Sequence, residues 1–252
     1  MKNKSFILIS ITSTIVLLLI ILSSTLFSVK KVNIVYVSEQ NFNCPDENNI
    51  LSLFDNNEIY QSIFFINKTK CKNTIQTNFP KISVINIESV FPNILNIYIA
   101  KRTYFYAVKY DSGYYICDEN LNIIEKCLAF SSTKNNVILL EGLTFEKNEQ
   151  VGLGMQTEKI DFIKNLSYCL YEWKDTETEL QSQISSIEID HIKKNQISIN
   201  FFNGVNIIVE NANNNLSNKL NYAFSYFDNN NISQGIIKII ETKGKTLLIY
   251  KN

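Results

Sequence analysis

Phe79-Pro80-Lys81-Ile82-Ser83-Val84-Ile85-Asn86-Ile87-Glu88-Ser89-Val90-Phe91-Pro92-Asn93-Ile94-Leu95-Asn96-Ile97-Tyr98-Ile99-Ala100-Lys101-Arg102 is the stretch from which the fold is read. It holds two of the chain's three prolines and its only arginine. On the entering arm Ile85 and Ile87 fall on one face, and Asn86 and Glu88 on the other. On the leaving arm Leu95, Ile97 and Ile99 alternate with Ile94, Asn96 and Tyr98. Period-two alternation on both sides of a Pro-Asn break predicts a β-hairpin. Proline donates no ladder hydrogen bond, so Pro80 and Pro92 belong at strand ends.

Working outward, Val32 to Val37 reads as a strand. Pro45 opens a helical stretch with Asp46 and Glu47 in its first turn, where the helix dipole favours acids. Ile50, Leu51 and Phe54 share one face of that helix. A second helix is expected from Lys68 to Asn78. The order β-α-α-β-β lets two helices cover one face of a three-stranded sheet, burying Ile85, Ile87, Leu95, Ile97 and Ile99.

Beyond Arg102 the chain reads as a strand-rich α+β domain. Strands are expected at Tyr104–Lys109, Gly113–Cys117, Ile123–Ile124 and Val137–Leu140. More follow at Ile184–Ile189, Gln196–Phe201 and Val205–Glu210, the last two joined by the turn pair Asn203-Gly204. Helices are expected over Gln156–Trp173 and Asn213–Phe227. Leu216, Leu220, Ala223, Phe224 and Phe227 face inward on the second of these. Ile236–Ile240 and Thr246–Tyr250 form a terminal hairpin around Lys243-Gly244.

Ahead of all this, Phe6 to Phe27 carries no charged residue. At a rise of ~1.5 Å per residue such a run is about 33 Å long, enough for a bilayer core. It is longer than the apolar core of a cleaved signal, and Ser23-Ser24-Thr25 lies inside it. The expectation is a single N-terminal transmembrane helix over 6–28, with a cytoplasmic tail at 1–5 and the rest extracytoplasmic. Lys2 and Lys4 against Lys30 and Lys31 leave the charge rule for orientation near a tie.

Net charge is zero, with 24 basic and 24 acidic residues, so no basic field points to nucleic acid. Asn and Ile abundance reads as genome composition, which strips weight from the Asn-x-Ser/Thr matches at Asn67, Asn165, Asn215 and Asn231. The lone histidine, His191 after Asp190, is read as a turn residue, because no nucleophile motif accompanies it. Val151-Gly152-Leu153-Gly154 resembles a phosphate-loop fragment but lacks the third glycine, and is read as a loop before a helix. Cys44, Cys71, Cys117, Cys127 and Cys169 show no metal spacing. Cys44 and Cys71 are the pair a disulfide would join. No catalytic residue, metal or cofactor is expected.

The layout and hairpin together resemble the bacterial cell-division family FtsQ/DivIB. The residues that carry the likeness are Pro80, Phe91-Pro92-Asn93-Ile94-Leu95 and Lys101-Arg102. They are joined by Tyr114-Tyr115-Ile116-Cys117-Asp118-Glu119-Asn120-Leu121-Asn122-Ile123-Ile124 and the strand Gly235–Ile240. Departures are Lys101 where the family has Glu, Tyr104 and Tyr106 in place of Pro and Ala, and Asn120 at a turn glycine, which tolerates a left-handed backbone. The resemblance implies a POTRA-like domain over 32–102 and a β domain over 103–252. It also implies a non-catalytic scaffold at the septal membrane, with FtsB/DivIC-like and FtsL-like bitopic partners. The physical route would be strand addition at Thr246, Leu247, Leu248, Ile249 and Tyr250, an expected sheet edge near the end of the chain. Lys219, Tyr222 and Tyr226 are expected beside it, on the outer face of the preceding helix. The competing reading is a membrane-tethered receptor or enzyme of unknown ligand.

Overall fold

The computed structural model describes residues 11–18, 26–37, 47–55, 61–130, 136–145, 149–173, 180–190, 196–242 and 245–252. Its contacts fall into two compact units, Met1–Lys101 and Arg102–Asn252. The architecture is mixed α+β.

The first unit comprises β1 (Lys31–Tyr36), α1 (Glu47–Asp55), α2 (Lys68–Asn78), β2 (Ile82–Val90) and β3 (Ile94–Lys101). Its sheet has the order β1-β3-β2, with β1 parallel and β2 antiparallel to the central β3. Asn67 caps α2 by accepting the Lys70 N–H at 2.9 Å. Ile50 and Phe54 of α1 and Cys71 and Ile75 of α2 meet Val84, Ile87, Leu95, Ile97 and Ile99 in one buried cluster.

Strict alternation fails at one position. The β2–β3 register slips between Val84 and Asn86, so Ile85 has no residue opposite it and is 54% exposed rather than buried beside Ile87. A bulge of this kind inserts one extra residue and turns side chains over. Buried Gln76 on α2 supports it: its Oε1 accepts the Val84 N–H at 3.3 Å.

The expected membrane helix is also corrected. Among the described residues no helix is long and apolar enough to cross a membrane. Within 6–28 the described residues are 11–18 and 26–28, and the remainder of that stretch lies outside them.

The second unit comprises β4 (Tyr106–Tyr110), β5 (Gly113–Cys117), β6 (Ile123–Cys127), β7 (Ile138–Glu141), α3 (Ile160–Glu172), α4 (Leu180–Gln183), β8 (Ile184–Asp190), β9 (Gln196–Phe201), β10 (Val205–Val209), α5 (Leu216–Asn229), β11 (Gly235–Thr242) and β12 (Lys245–Lys251). Nine strands form one mixed sheet in the order β12-β11-β10-β9-β8-β7-β4-β5-β6. β7 lies parallel to both β4 and β8, and β10 parallel to β11. Ile163, Leu166 and Leu170 of α3 join Leu216, Leu220, Ala223 and Phe224 of α5 over the sheet's inner face.

Arg102, read from sequence as closing the hairpin, packs with the second unit. Its Nε lies 3.3 Å from Asp118 Oδ2, with both side chains buried. Burial pulls the guanidinium's pKa below its ordinary value, and the Asp118 charge works against that pull. Asp118 also accepts the backbone N–H groups of Asn120 and Asn122 at 3.0 and 2.8 Å, shaping the turn into β6. The left-handed residue of that turn is Leu121, at φ 58°, not Asn120. Complete burial of Leu121 offsets the backbone cost. Close by, Tyr106 and Ser167 share a hydrogen bond of 2.9 Å between their hydroxyls, and the single Ser167 proton has the carbonyls of Glu119 and Ile163 within reach, at 2.8 and 2.9 Å, as alternative acceptors. That relay ties β4, α3 and the turn together through groups that burial would otherwise penalise.

Two outcomes follow from these placements. Ile85→Ser is expected to change unfolding free energy by less than about 0.5 kcal/mol, because the side chain is already in solvent. Ile87→Ala is expected to cost roughly 2–4 kcal/mol. Urea denaturation of both variants checks the bulge; equal losses would contradict it. The second outcome concerns pH. Burial, with Asp118 beside it, raises the Glu119 carboxyl above its ordinary value. Between the unfolded and folded pKa values the folded chain binds more protons, so stability falls as pH rises through that window. The Glu119 contribution is complete below about pH 4.3, the ordinary glutamate value, and is lost as pH passes the folded one. Glu119→Gln is expected to flatten this limb of the stability-pH curve and to stabilise the chain at neutral pH, measured as urea midpoints across pH 4 to 8.

Candidate partner-binding edge

β12 pairs with β11 along its full length, from Ile236 opposite Lys251 to Thr242 opposite Lys245. It is the outermost strand of the sheet, and among the described residues no strand pairs with its other side. In an antiparallel ladder alternate residues turn their N–H and C=O groups away from the neighbour. The outer side of β12 therefore presents a row of backbone donors and acceptors. The opposite end of the sheet is partly covered. There Gly152 N donates to Ile123 O at 2.7 Å, Ile123 N to Leu153 O at 2.9 Å and Met155 N to Leu121 O at 2.9 Å. The Val151–Gly154 segment thus serves as an edge cover for β6.

The faces of β12 differ. Leu248 and Tyr250 turn inward and pack against the core. Leu247 and Ile249 point to the outer face, 45% and 39% exposed, next to the exposed Ile236 of β11. Along that face Lys245, Leu247, Ile249 and Lys251 form a stripe, apolar in the middle and basic at both ends. On the inner side the Tyr250 hydroxyl donates to Gln234 O at 3.0 Å, and its ring lies 6.2 Å from that of Tyr226 on α5. Tyr226 is half-buried, while Tyr222, one turn earlier, is half exposed. Thr246 is exposed opposite Glu241.

Lys219 is not on the outer face of α5. It is 1% exposed. Its Nζ donates to the carbonyls of Glu210 and Asn211 at 3.1 and 3.0 Å and pairs with Glu241 Oε2 at 3.1 Å. Three residues after Leu216 and four before Ala223, it shares the inward side of the helix. The turn between β10 and α5 leaves carbonyls there that need a donor, and the ammonium supplies one. The apolar stripe of Leu216, Leu220, Ala223, Phe224 and Phe227 leaves Lys219 out, which is why the sequence alone places it on the outer face.

Gly235, which the sequence offers only as the first residue of a family-like strand, sets that strand in place. Gly235 opens β11 at φ +107°, and a Cβ there would lie 2.6 Å from Lys251 O and about 3 Å from the Tyr250 ring. The signal was its scarcity, since the chain has only seven glycines. Two other residues of interest at sequence level, His191 and Cys44, lie outside the described residues. Burial pushes the Cys117 thiol well up, which makes it unreactive.

No protein-family profile matches the chain. It is 29% identical over 167 residues to the cell division protein DivIB of Clostridium tetani (strain Massachusetts / E88), a match covering 65% of this chain and 58% of that protein. The chain is thus similar in sequence to a DivIB protein. Less than two thirds of the relative's length is therefore represented in the match.

The close contact at Gly235 can be tested against a control. Gly204 has a similar φ of +89° but nothing within 4 Å of its hypothetical Cβ. Gly235→Ala is expected to speed amide exchange in β12 by at least about tenfold, while Gly204→Ala pays backbone strain alone and leaves β12 protection unchanged. Equal effects at β12 would mean that φ, not the contact with Lys251, is what matters.

Proposed function

We propose that this chain is a non-catalytic scaffold of bacterial cell division that holds partner proteins by strand addition at β12. The observation that carries the reading is the unpaired outer side of β12, a full-length strand with a half-exposed apolar stripe. Unprotected edges invite pairing, and natural sheets normally blunt them with charge, proline or a bulge. Here the two exposed central residues, Leu247 and Ile249, are apolar, while lysines stand only at the ends. Main-chain hydrogen bonds would supply affinity, and alternate side chains would supply selection. The Tyr226–Tyr250 pair borders the same strand on its inner side, with half-exposed Tyr222 one turn earlier on α5, and aromatic residues suit an anchoring role.

The relative's printed name, cell division protein, supports the process. The resemblance to FtsQ/DivIB implies the partners: bitopic FtsB/DivIC-like and FtsL-like proteins at the division septum. In this reading residues 32–102 form a POTRA-like recruiting domain and 103–252 the β domain that captures the partner strand. Thr246 to Tyr250 make the backbone contacts. Lys219 acts from beneath, by holding the β10–α5 turn and Glu241 in place.

Truncation after Thr242 removes the edge strand. It is expected to weaken capture of a DivIC-like partner by more than about tenfold, the scale of losing a row of interface hydrogen bonds. Amide-exchange protection in β1 to β3 should persist, since those strands have their own core. Undiminished pull-down by a truncated chain that keeps this protection would overturn strand addition.

A further inference from the structure

Three phenylalanines gather in the first unit, far in sequence from β12, and a fourth adjoins one of them in the chain. Phe27 and Phe64 have ring centroids 5.3 Å apart, Phe64 and Phe91 5.4 Å, and Phe27 and Phe91 6.2 Å. Phe65 follows Phe64 directly in the chain. Backbone hydrogen bonds hold the three contributing segments together. Val29 N donates to Gln61 O and Ile63 N to Phe27 O, at 2.9 and 2.7 Å, and Lys30 N donates to Asn93 O at 2.9 Å. The patch is therefore built into the unit. It is also open: Phe64 and Phe91 are each 59% exposed, Phe65 83% and Leu26 49%. Isolated exposed apolar residues need no explanation, but a contiguous aromatic patch does.

The charge on these segments narrows the occupant. The three segments 26–31, 61–70 and 89–94 carry Lys30, Lys31, Lys68 and Lys70, all exposed, and no acidic residue. Lys68 and Lys70 stand in the first turn of α2, where no acid is present. A helix dipole disfavours cations at that end, so helix stability does not explain them. The chain also enters the patch from a stretch uncharged since Phe6. Exposed phenylalanines on segments that carry lysines and no acid match a hydrocarbon boundary beneath anionic headgroups. We infer that the patch formed by Phe27, Phe64, Phe65 and Phe91, with Lys30, Lys31, Lys68 and Lys70 on the same segments, is a contact surface for an anionic lipid bilayer.

Bulk sedimentation with vesicles does not isolate the patch, because residues 6–27 are themselves apolar. A position-resolved reading does. The full chain carries Phe65→Trp in a Trp173→Phe background, which leaves one indole, at the patch. It is mixed with vesicles of phosphatidylglycerol containing bromolipid. The expected result is a blue-shifted indole emission, quenched at least about threefold more than in pure phosphatidylcholine carrying the same bromolipid. Changing Lys30, Lys31, Lys68 and Lys70 to Glu should abolish the difference. An indole that aqueous iodide quenches equally with and without vesicles would overturn the inference. So would a blue shift that arises without lipid and grows with protein concentration, which would assign the patch to a second copy of the chain. Equal quenching in both lipids would remove the headgroup part and overturn it as stated.

Discussion

A sheet must account for every backbone N–H and C=O it places at an edge, and the second unit is organised around that demand. Nine strands in an open sheet have two edges. At β6 the segment from Gly152 to Met155 answers the demand with its own hydrogen bonds. At β12 nothing among the described residues does so. The inner side of that strand is nonetheless well held. Leu248 and Tyr250 reach the core, the Tyr250 hydroxyl bonds to Gln234, and Gly235 lets the two backbones close up. The edge is thus ordered on one side and unfilled on the other, which is the condition of a template rather than of a frayed end.

Buried polar groups fix the parts that apolar packing leaves undetermined. Arg102 and Asp118 hold the entrance of the second unit, with Asp118 also gripping the backbone of the turn that follows. Lys219 spans the β10–α5 turn and the end of β11. Ser167 links a strand, a helix and a turn through a single hydroxyl. Each of these groups would be costly if its partners were removed, so each specifies one arrangement of its neighbours.

Local pattern was readable in the sequence wherever one element decides its own form. α2 at Lys68–Asn78, β5 at Gly113–Cys117 and β9 at Gln196–Phe201 have the bounds that periodicity and turn residues imply. The Phe79–Arg102 hairpin was readable as a hairpin, but not the bulge at Ile85, because the acceptor that supports it is Gln76 on a different element. Leu121 took the left-handed position expected of Asn120, because burial in the core outweighed intrinsic preference. The insertion of β7 between β4 and β8 is a long-range pairing that no window of residues encodes. At the candidate site the strand could be seen, but not which of its faces meets the core. Nor could the burial of Lys219, since its partners come from the β10–α5 turn and a distant strand.

The register of the terminal hairpin has a mechanical consequence. β11 and β12 run antiparallel over seven matched positions, and β11 lies parallel to β10 over five more. A strand seated along β12 would pull on these ladders in the direction of the strands. Tension applied that way is shared across a whole row of bonds at once, whereas a pull across the row breaks them one after another. A joint of this geometry resists sliding far better than peeling. The hairpin is therefore stiffest along its own strands and weakest across them.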